Sequence, residues 1–382
     1  MQRSEFIKNA KRIVVKVGTS LVTADTGQID DRRISNIVGQ LADIQNRGYE
    51  VLLVSSGSIA AGIEALGFTT ISGSTMPQLQ ASASVGQGLL VHKYASLFKE
   101  KNINVGQVLL TQRDTTHRQQ YVNAKNTLNE LLELKAIPII NENDSTAIDE
   151  IKFGDNDTLA ALVANIVEAD LLIILSDVDG LYSADPKSQK AKLIPVVETI
   201  DKAIEASASG SGTLFGKGGM ETKIKAAKMA TASQCGVIIA NGHKENILTD
   251  ILAGEKEGTF FEPRKEKISA RRIWILNQPS KGTIYIDKGA DKAIREEGRS
   301  LLAVGVTKAD GNFDIGEAVK ITINKTDPRL IKGIVNYSSE ELNKIAGKSN
   351  KEIVRILGVE SAEEVVHRNN MVMMKLKIKR KS

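Results

Sequence analysis

The chain has 382 residues, 41% of them hydrophobic and 25% charged, with a formal net charge of +5. That length favours two domains or more with ample cores, and the composition is ordinary for a soluble globular protein. A single cysteine, Cys235, excludes an intramolecular disulfide and points to a cytoplasmic setting. The four histidines are scattered without ligand spacing, so no zinc site is expected. The N-terminus lacks the continuous apolar run of a signal peptide, and apolar runs such as Leu171 to Leu175 are too short to span a bilayer, so no membrane partner is expected.

Ile13 to Val17 is a β-branched strand carrying Lys16 near its end, followed by the small turn residues Gly18, Thr19 and Ser20. A lysine there can reach a phosphate held by backbone N–H groups, although a solvated edge lysine has the same local pattern. Asp30 or Asp31 caps a helix whose Ile34, Ile37, Val38, Leu41 and Ile44 recur at helical spacing up to Gly48. Glu50 to Val54 is a second strand. It ends in Ser55, Ser56, Gly57 and Ser58 at the start of a small-residue helix, an arrangement that suits an anion or simply caps the helix. Leu79 to Lys101 is a long helix whose Ala, Ser and Gly residues suggest close packing, with a subunit interface as one setting. Val105 to Leu110 is a strand and Tyr121 to Leu134 a helix.

The densest stretch runs from Asn141 to Ala164. It follows the strand Ile137 to Ile140, gathers Glu142, Asp144, Asp149, Glu150, Asp155 and Asp157, and enters an apolar helix over Thr158 to Val167. Strand, acidic loop and helix are how an open α/β sheet presents a pocket at the carboxyl edge of its strands. So many carboxylates and amides suit a cationic group, a metal ion or both; a solvated loop is the plainer alternative. Leu171 to Leu175 is a continuous apolar strand, as in the middle of a parallel sheet, and leads to Ser176, Asp177, Val178 and Asp179. Residues 207–219 are rich in glycine and serine and open into a helix over Met220 to Cys235, with Thr222, Lys223, Lys225 and Lys228 near its start. A glycine loop, a helix N-terminus and a first-turn lysine form a phosphate site, but the Walker A order is absent. A strand over Gly236 to Ala240 and a helix over Glu245 to Ala253 follow.

This alternation predicts one doubly wound α/β domain over 1–264, with an open, mainly parallel sheet sandwiched by helices. Residues 265–272 form a charged linker. Residues 273–375 read as a small β-barrel with short helices near Ser339 to Ile345 and Lys351 to Leu357, and 376–382 are a basic tail.

Five segments carry a resemblance: VVKVGTSLVT at Val14, VSSGSIAAG at Val54, INENDSTAIDEIKFGDNDTLAALVA at Ile140, LSDVDGLYSADP at Leu175 and GKGGMETKIKAA at Gly216. In this order, and followed by VNYSSEELNKIAG and EEVVHRNNMV, they resemble the glutamate 5-kinases of the amino acid kinase family with a C-terminal PUA domain. The resemblance implies transfer of the γ-phosphoryl group of ATP to the side-chain carboxylate of L-glutamate, at the entry to proline synthesis. It implies that Lys16 and Lys223 flank the transferring group and that Asp157 orients them. Ser56, Asp144 and Asn156 would hold glutamate, with Asp144 facing its ammonium; Asp155 would serve the substrate or order the loop. Lys16, Ser176, Asp177 and the run Lys217, Gly218, Gly219, Met220, Glu221, Thr222 and Lys223 would bind the nucleotide. Lys217 stands where the family usually has threonine, and Ser55 and Ser176 also stand where threonine is often found. Magnesium is expected to travel with ATP rather than in a protein cage. Proline is implied as an inhibitor, and a homo-oligomer and contact with the next enzyme of the pathway as assembly states. Amino acid kinases acting on aspartate, acetylglutamate, carbamate or a nucleotide are alternatives that the GDND sequence and the PUA tail argue against. RNA binding as a main function is disfavoured, because only Trp274 and Tyr285 lie near the start of the second domain and no basic patch interleaved with aromatics is evident.

Overall fold

The computed structural model describes residues 3–373 apart from 25–27, 69–73, 112–113, 115–117, 146–154, 186–187, 189–190, 208–218, 265–271, 273–274, 277, 325, 328–330 and 358–362. The expectations at Asp149, Glu150, Lys217 and Gly218, most of the linker, and the basic tail lie outside the described residues. The chain divides into two compact units, Met1–Ile268 and Ser269–Ser382. No helix among the described residues is long and apolar enough to cross a membrane.

In the first unit the strands are β1 (Arg12–Val17), β2 (Glu50–Ser55), β3 (Val105–Leu110), β4 (Ile137–Glu142), β5 (Leu171–Ser176), β6 (Val196–Val197), β7 (Gly236–Asn241) and β8 (Thr259–Phe261). The helices are α1 (Arg3–Asn9), α2 (Asp31–Asn46), α3 (Ser58–Ala65), α4 (Met76–Lys99), α5 (Arg118–Glu133), α6 (Asn156–Ile166), α7 (Lys202–Ser207), α8 (Met220–Ala232) and α9 (Ile247–Ala253). The sheet order is β3-β4-β2-β1-β5-β7-β8-β6. All pairings are parallel except β7 with β8. The expected doubly wound, mainly parallel sheet is therefore what forms. The short strands β6 and β8 have too few residues to show a period, and their pairing is a tertiary event.

β1 lies between β2 and β5, where the strand order reverses, so ligands are expected beyond the carboxyl ends of these strands. Side chains alternate along β1. Ile13, Val15 and Val17 join a core with Ile34, Leu41, Ile44, Leu248 and Ile251 from α2 and α9. Lys16, one residue out of phase, faces the opposite side, where it meets α6. Helix starts follow their caps. Asp30 accepts from the N–H groups of Arg32 (2.9 Å) and Arg33 (3.1 Å), fixing α2. α4 begins at Met76, upstream of the expected Leu79, because Thr75 and Gln78 form a capping box. α6 begins two residues before the expected Thr158, because Asp155 caps it.

The small residues of α4 serve packing within the chain. A Cβ at Gly86 would stand 1.8 Å from the carbonyl oxygen of Ser58, and one at Gly62 would stand 1.7 Å from that of Ser82. Helices α3 and α4 cross at backbone contact, with Ser82 fully buried at the crossing.

The second unit contains β9 (Gly282–Ile286), α10 (Lys288–Arg295), β10 (Val306–Gly311), β11 (Ala318–Thr322), β12 (Ile331–Ile334), α11 (Ser339–Ile345), α12 (Asn350–Leu357) and β13 (Met371–Met373). Among the described residues the expected barrel takes the form of a five-stranded mixed sheet, β10-β9-β11-β12-β13, in which β9 and β11 pair in parallel and the other neighbours antiparallel. Ile284, Phe313, Val319, Ile331, Leu342 and Ile353 belong to its core. The buried Lys332 ammonium donates to the carbonyls of Leu276 (2.8 Å) and Gln278, and burial followed by the charge of Lys320 pulls its pKa below the ordinary lysine value. The two expected helices are α11 and α12. α10 is an addition, started by Asp287 accepting from Ala290 N–H at 2.7 Å.

Gly86→Ala is expected to cost about 1–3 kcal/mol or more, because backbone must move to admit the methyl group. Gly88→Ala, with nothing within 4 Å of the new Cβ, is expected to add up to about 1 kcal/mol of helix propensity. Urea midpoints of the two variants check this; equal shifts would contradict the close crossing.

Candidate active site

Three chain segments meet at one carboxylate. Asp157 sits in the first turn of α6 and is fully buried. Lys16 Nζ from β1 lies 2.6 Å from its Oδ1, and Lys223 Nζ from the first turn of α8 lies 3.3 Å from its Oδ2. Thr222 Oγ1 donates to Asp157 Oδ2 at 2.9 Å and lies 2.8 Å from the carbonyl oxygen of Gly219, the N-cap of α8. Both lysines are themselves buried, at 6% and 5% exposure. Burial by itself would raise the Asp157 carboxyl, but the charges of Lys16 and Lys223 and the hydrogen bonds from Lys16 and Thr222 outweigh it and hold the group below the usual carboxylate range. Two ammonium groups thus converge on one buried carboxylate, in a poorly hydrated place.

Asp155 Oδ1 accepts from Thr158 N–H at 2.6 Å, and Thr158 Oγ1 lies 3.2 Å from its Oδ2. Asp155 is thus the N-cap of α6. Its pKa is raised, first by burial and then by the Asp157 charge.

The next residue, Asn156, turns the other way. Its Nδ2 donates to Ser56 Oγ (2.8 Å), Asn141 Oδ1 (2.9 Å) and the Ser55 carbonyl (3.1 Å). Asn141 Nδ2 in turn donates to Gln87 Oε1 (2.8 Å) and Ser58 Oγ (3.2 Å). Asp144, half-buried in the turn after β4, lines a small cleft with Ser58, Gln87 and Glu142. The end of β2 is held from below: Ser55 Oγ lies 2.9 Å from the hydroxyl of the fully buried Tyr94, whose pKa burial pushes up to about 12 against the opposing bond with Ser55.

The structure thus brings Lys16, Asp157, Lys223, Thr222 and Gly219 together, and beside them Asn156 with Ser56. Ser176 Oγ donates to the exposed Asp177 at the carboxyl end of β5 (3.0 Å). Met220 is buried and Glu221 is exposed. Sequence reasoning missed Gln87, Tyr94 and the cluster in which Asp179 meets Asn241, Lys244 and Tyr182. Asn141, the first residue of NEND, stood in the right stretch; Gln87 and Tyr94 sit in a helix without a motif. Among the described residues no group of three or more His, Cys, Asp or Glu side chains is arranged to hold a metal ion.

Fold and site together define an α/β protein with two buried lysines on one carboxylate near the carboxyl edge of a mainly parallel sheet. The family model described as "Amino acid kinase family" matches residues 11–241, and the one described as "PUA domain" matches 282–357. The chain belongs to the amino acid kinase family and carries a PUA domain after the kinase region. Its curated relatives include the Glutamate 5-kinase of Thermoanaerobacter sp. (strain X514), 47% identical over 365 residues, which cover 95% of this chain and 98% of the relative. The Glutamate 5-kinase of Syntrophus aciditrophicus (strain SB) is 44% identical over 375 residues, covering 98% and 97%. Among solved structures, carbamate kinase from Giardia lamblia bound to AMP-PNP shares the fold at a TM-score of 0.51 and 19% identity, covering 67% of this chain and 100% of that one.

Asp157→Asn is expected to cost roughly 3–5 kcal/mol, because two buried lysines lose their counter-charge. With its folded pKa depressed, Asp157 contributes its full stability above the unfolded value near about 4 and loses it as pH falls through the folded value. The gap between wild type and Asp157→Asn in urea midpoint should therefore be flat above about pH 5 and narrow below about pH 4. A gap that widens on acidification would contradict the ion-pair assignment.

Proposed function

We propose that this amino acid kinase transfers the γ-phosphoryl group of ATP to the side-chain carboxylate of L-glutamate, giving L-glutamyl 5-phosphate for proline synthesis. The observation that carries the reading is the buried Asp157 with its two lysines; near-full-length similarity to glutamate 5-kinases supports the substrate. A carboxylate nucleophile has a pKa of about 4.3 and is already ionised at neutral pH, so no general base is required. The obstacle is repulsion between an anionic nucleophile and an anionic triphosphate. Lys16 and Lys223 meet it from two sides of the transferring group, and Asp157 keeps both ammonium groups aimed and charged. Magnesium enters as part of the MgATP substrate. Ser56, Asp144 and Asn156 hold glutamate; Ser176, Asp177 and residues 217–223 hold the nucleotide. In this reading Asp155 orders the loop.

We also infer a kinase domain over 1–264 joined through 265–272 to the PUA-like domain over 273–375, in a cytoplasmic homo-oligomer. Proline, with its α-carboxylate and cationic nitrogen, is proposed to inhibit at or across the glutamate pocket, and the next enzyme of the pathway to accept the labile acyl phosphate.

ATP consumption is expected only with L-glutamate present, with the acyl phosphate trapped by hydroxylamine; faster turnover with aspartate or acetylglutamate would overturn the substrate assignment. Lys223→Ala is expected to lower kcat about a hundred- to a thousand-fold with smaller changes in apparent affinities, because a preorganised donor acts on charge that develops in the transition state. Lys225, one turn-face away and exposed, serves as the comparison. Equal, mild effects of Lys223→Ala and Lys225→Ala at saturating substrate would remove Lys223 from the mechanism.

A further inference from the structure

We propose that Gln87 is a positioning residue for the amino acid substrate: acting through Asn141, it holds the Asn156 amide in place so that its oxygen is aimed at the ligand. The inference rests on the glutamate reading above and deepens it. A carboxamide nitrogen has two hydrogens and its oxygen only accepts, so each amide in a chain of amides sets the orientation of the next. Gln87 Oε1 and Ser58 Oγ take both hydrogens of Asn141 Nδ2, at 2.8 and 3.2 Å. Asn141 therefore turns Oδ1 toward Asn156, whose Nδ2 donates to it at 2.9 Å. The same Nδ2 also serves Ser56 Oγ and the Ser55 carbonyl, so its donors are spent inside the protein.

None of the hydrogen bonds among the described residues ends on Asn156 Oδ1. Asn141 is 2% and Gln87 8% exposed, while Asn156 is half-buried. Asn156 is thus the member of the chain within reach of a ligand, and it offers an acceptor. An acceptor selects a donor, and the donor on glutamate at neutral pH is the α-ammonium. The Ser55 carbonyl can only accept, so it keeps the Asn156 nitrogen turned inward; loss of the Gln87 acceptor instead frees Asn141 and leaves the Asn156 oxygen less firmly aimed. Gln87 reaches Asn141 because its neighbour Gly86 lets α4 approach the Ser58 backbone. Ser58 is thereby both the contact point of that crossing and a partner of the relay.

The test compares L-glutamate with glutarate, the dicarboxylate that lacks the ammonium, by hydroxylamine-trapped turnover in wild type, Gln87→Met and Gln87→Glu. Methionine fills the volume without an oxygen acceptor, whereas glutamate keeps one at the same reach. The preference for L-glutamate over glutarate in kcat/KM is expected to fall about tenfold in Gln87→Met, with KM for ATP unchanged. In Gln87→Glu it should stay within about twofold of wild type, since the acceptor is retained. Gln87→Ala gives the same loss of acceptor without steric demand, should the methionine variant fail to fold. A purely structural role would lower thermal stability and leave the preference intact; that result, or equal losses of preference in the Met and Glu variants, overturns the proposal. An active wild type with an unchanged ratio sinks this inference alone, whereas a wild type that does not turn over L-glutamate sinks the substrate reading and this inference with it.

Discussion

One carboxylate shared by two lysines is the constraint on which the kinase unit depends. Burying an ionised group is costly unless opposite charge and hydrogen bonds surround it, and Asp157 has both lysines and Thr222 on its two oxygens. The partners come from β1, α6 and α8, three elements far apart in the chain. None can shift without exposing the others to an unpaired buried charge. The geometry ties the three elements together, because each oxygen of the carboxylate faces a lysine from a different segment.

The elements that deliver these charges also separate two kinds of polar work. Within three consecutive residues, Asp155 caps the helix, Asn156 faces the serines at the end of β2, and Asp157 faces the lysines. Successive residues at the start of a helix point about a third of a turn apart, so one helix entry can serve three partners. The raised pKa of Asp155 and the lowered one of Asp157 record the difference, since one carboxylate has burial and a like charge beside it and the other has cations. Close approach of α3 and α4, possible only because Gly62 and Gly86 lack a Cβ, sets the far wall of the same region.

The PUA unit has its own core and its own buried cation, Lys332, whose ammonium donates to main-chain carbonyls rather than to a carboxylate. Charge is thus used structurally there, with the partner supplied by backbone oxygens.

Much of the fold was legible in the sequence because the relevant signals are local. Continuous apolar runs such as Leu171 to Leu175 mark buried parallel strands, and Asp30 marks a helix start whose side-chain oxygen must meet nearby N–H groups. Lys16, Asp157 and Lys223 could be singled out because each lies in a segment that carries the family resemblance, and the structure places the three side chains in contact. What the sequence by itself determined is therefore the succession of elements and the mainly parallel sheet. Only the tertiary structure decided that Asp155 is a cap, that β8 runs antiparallel against β7, and that Gln87, Asn141 and Tyr94 stand behind the site. The physical reason is that capping and burial are written in neighbouring residues, whereas a hydrogen bond between Gln87 and Asn141 joins positions 54 residues apart and exists only once α4 has docked against the sheet.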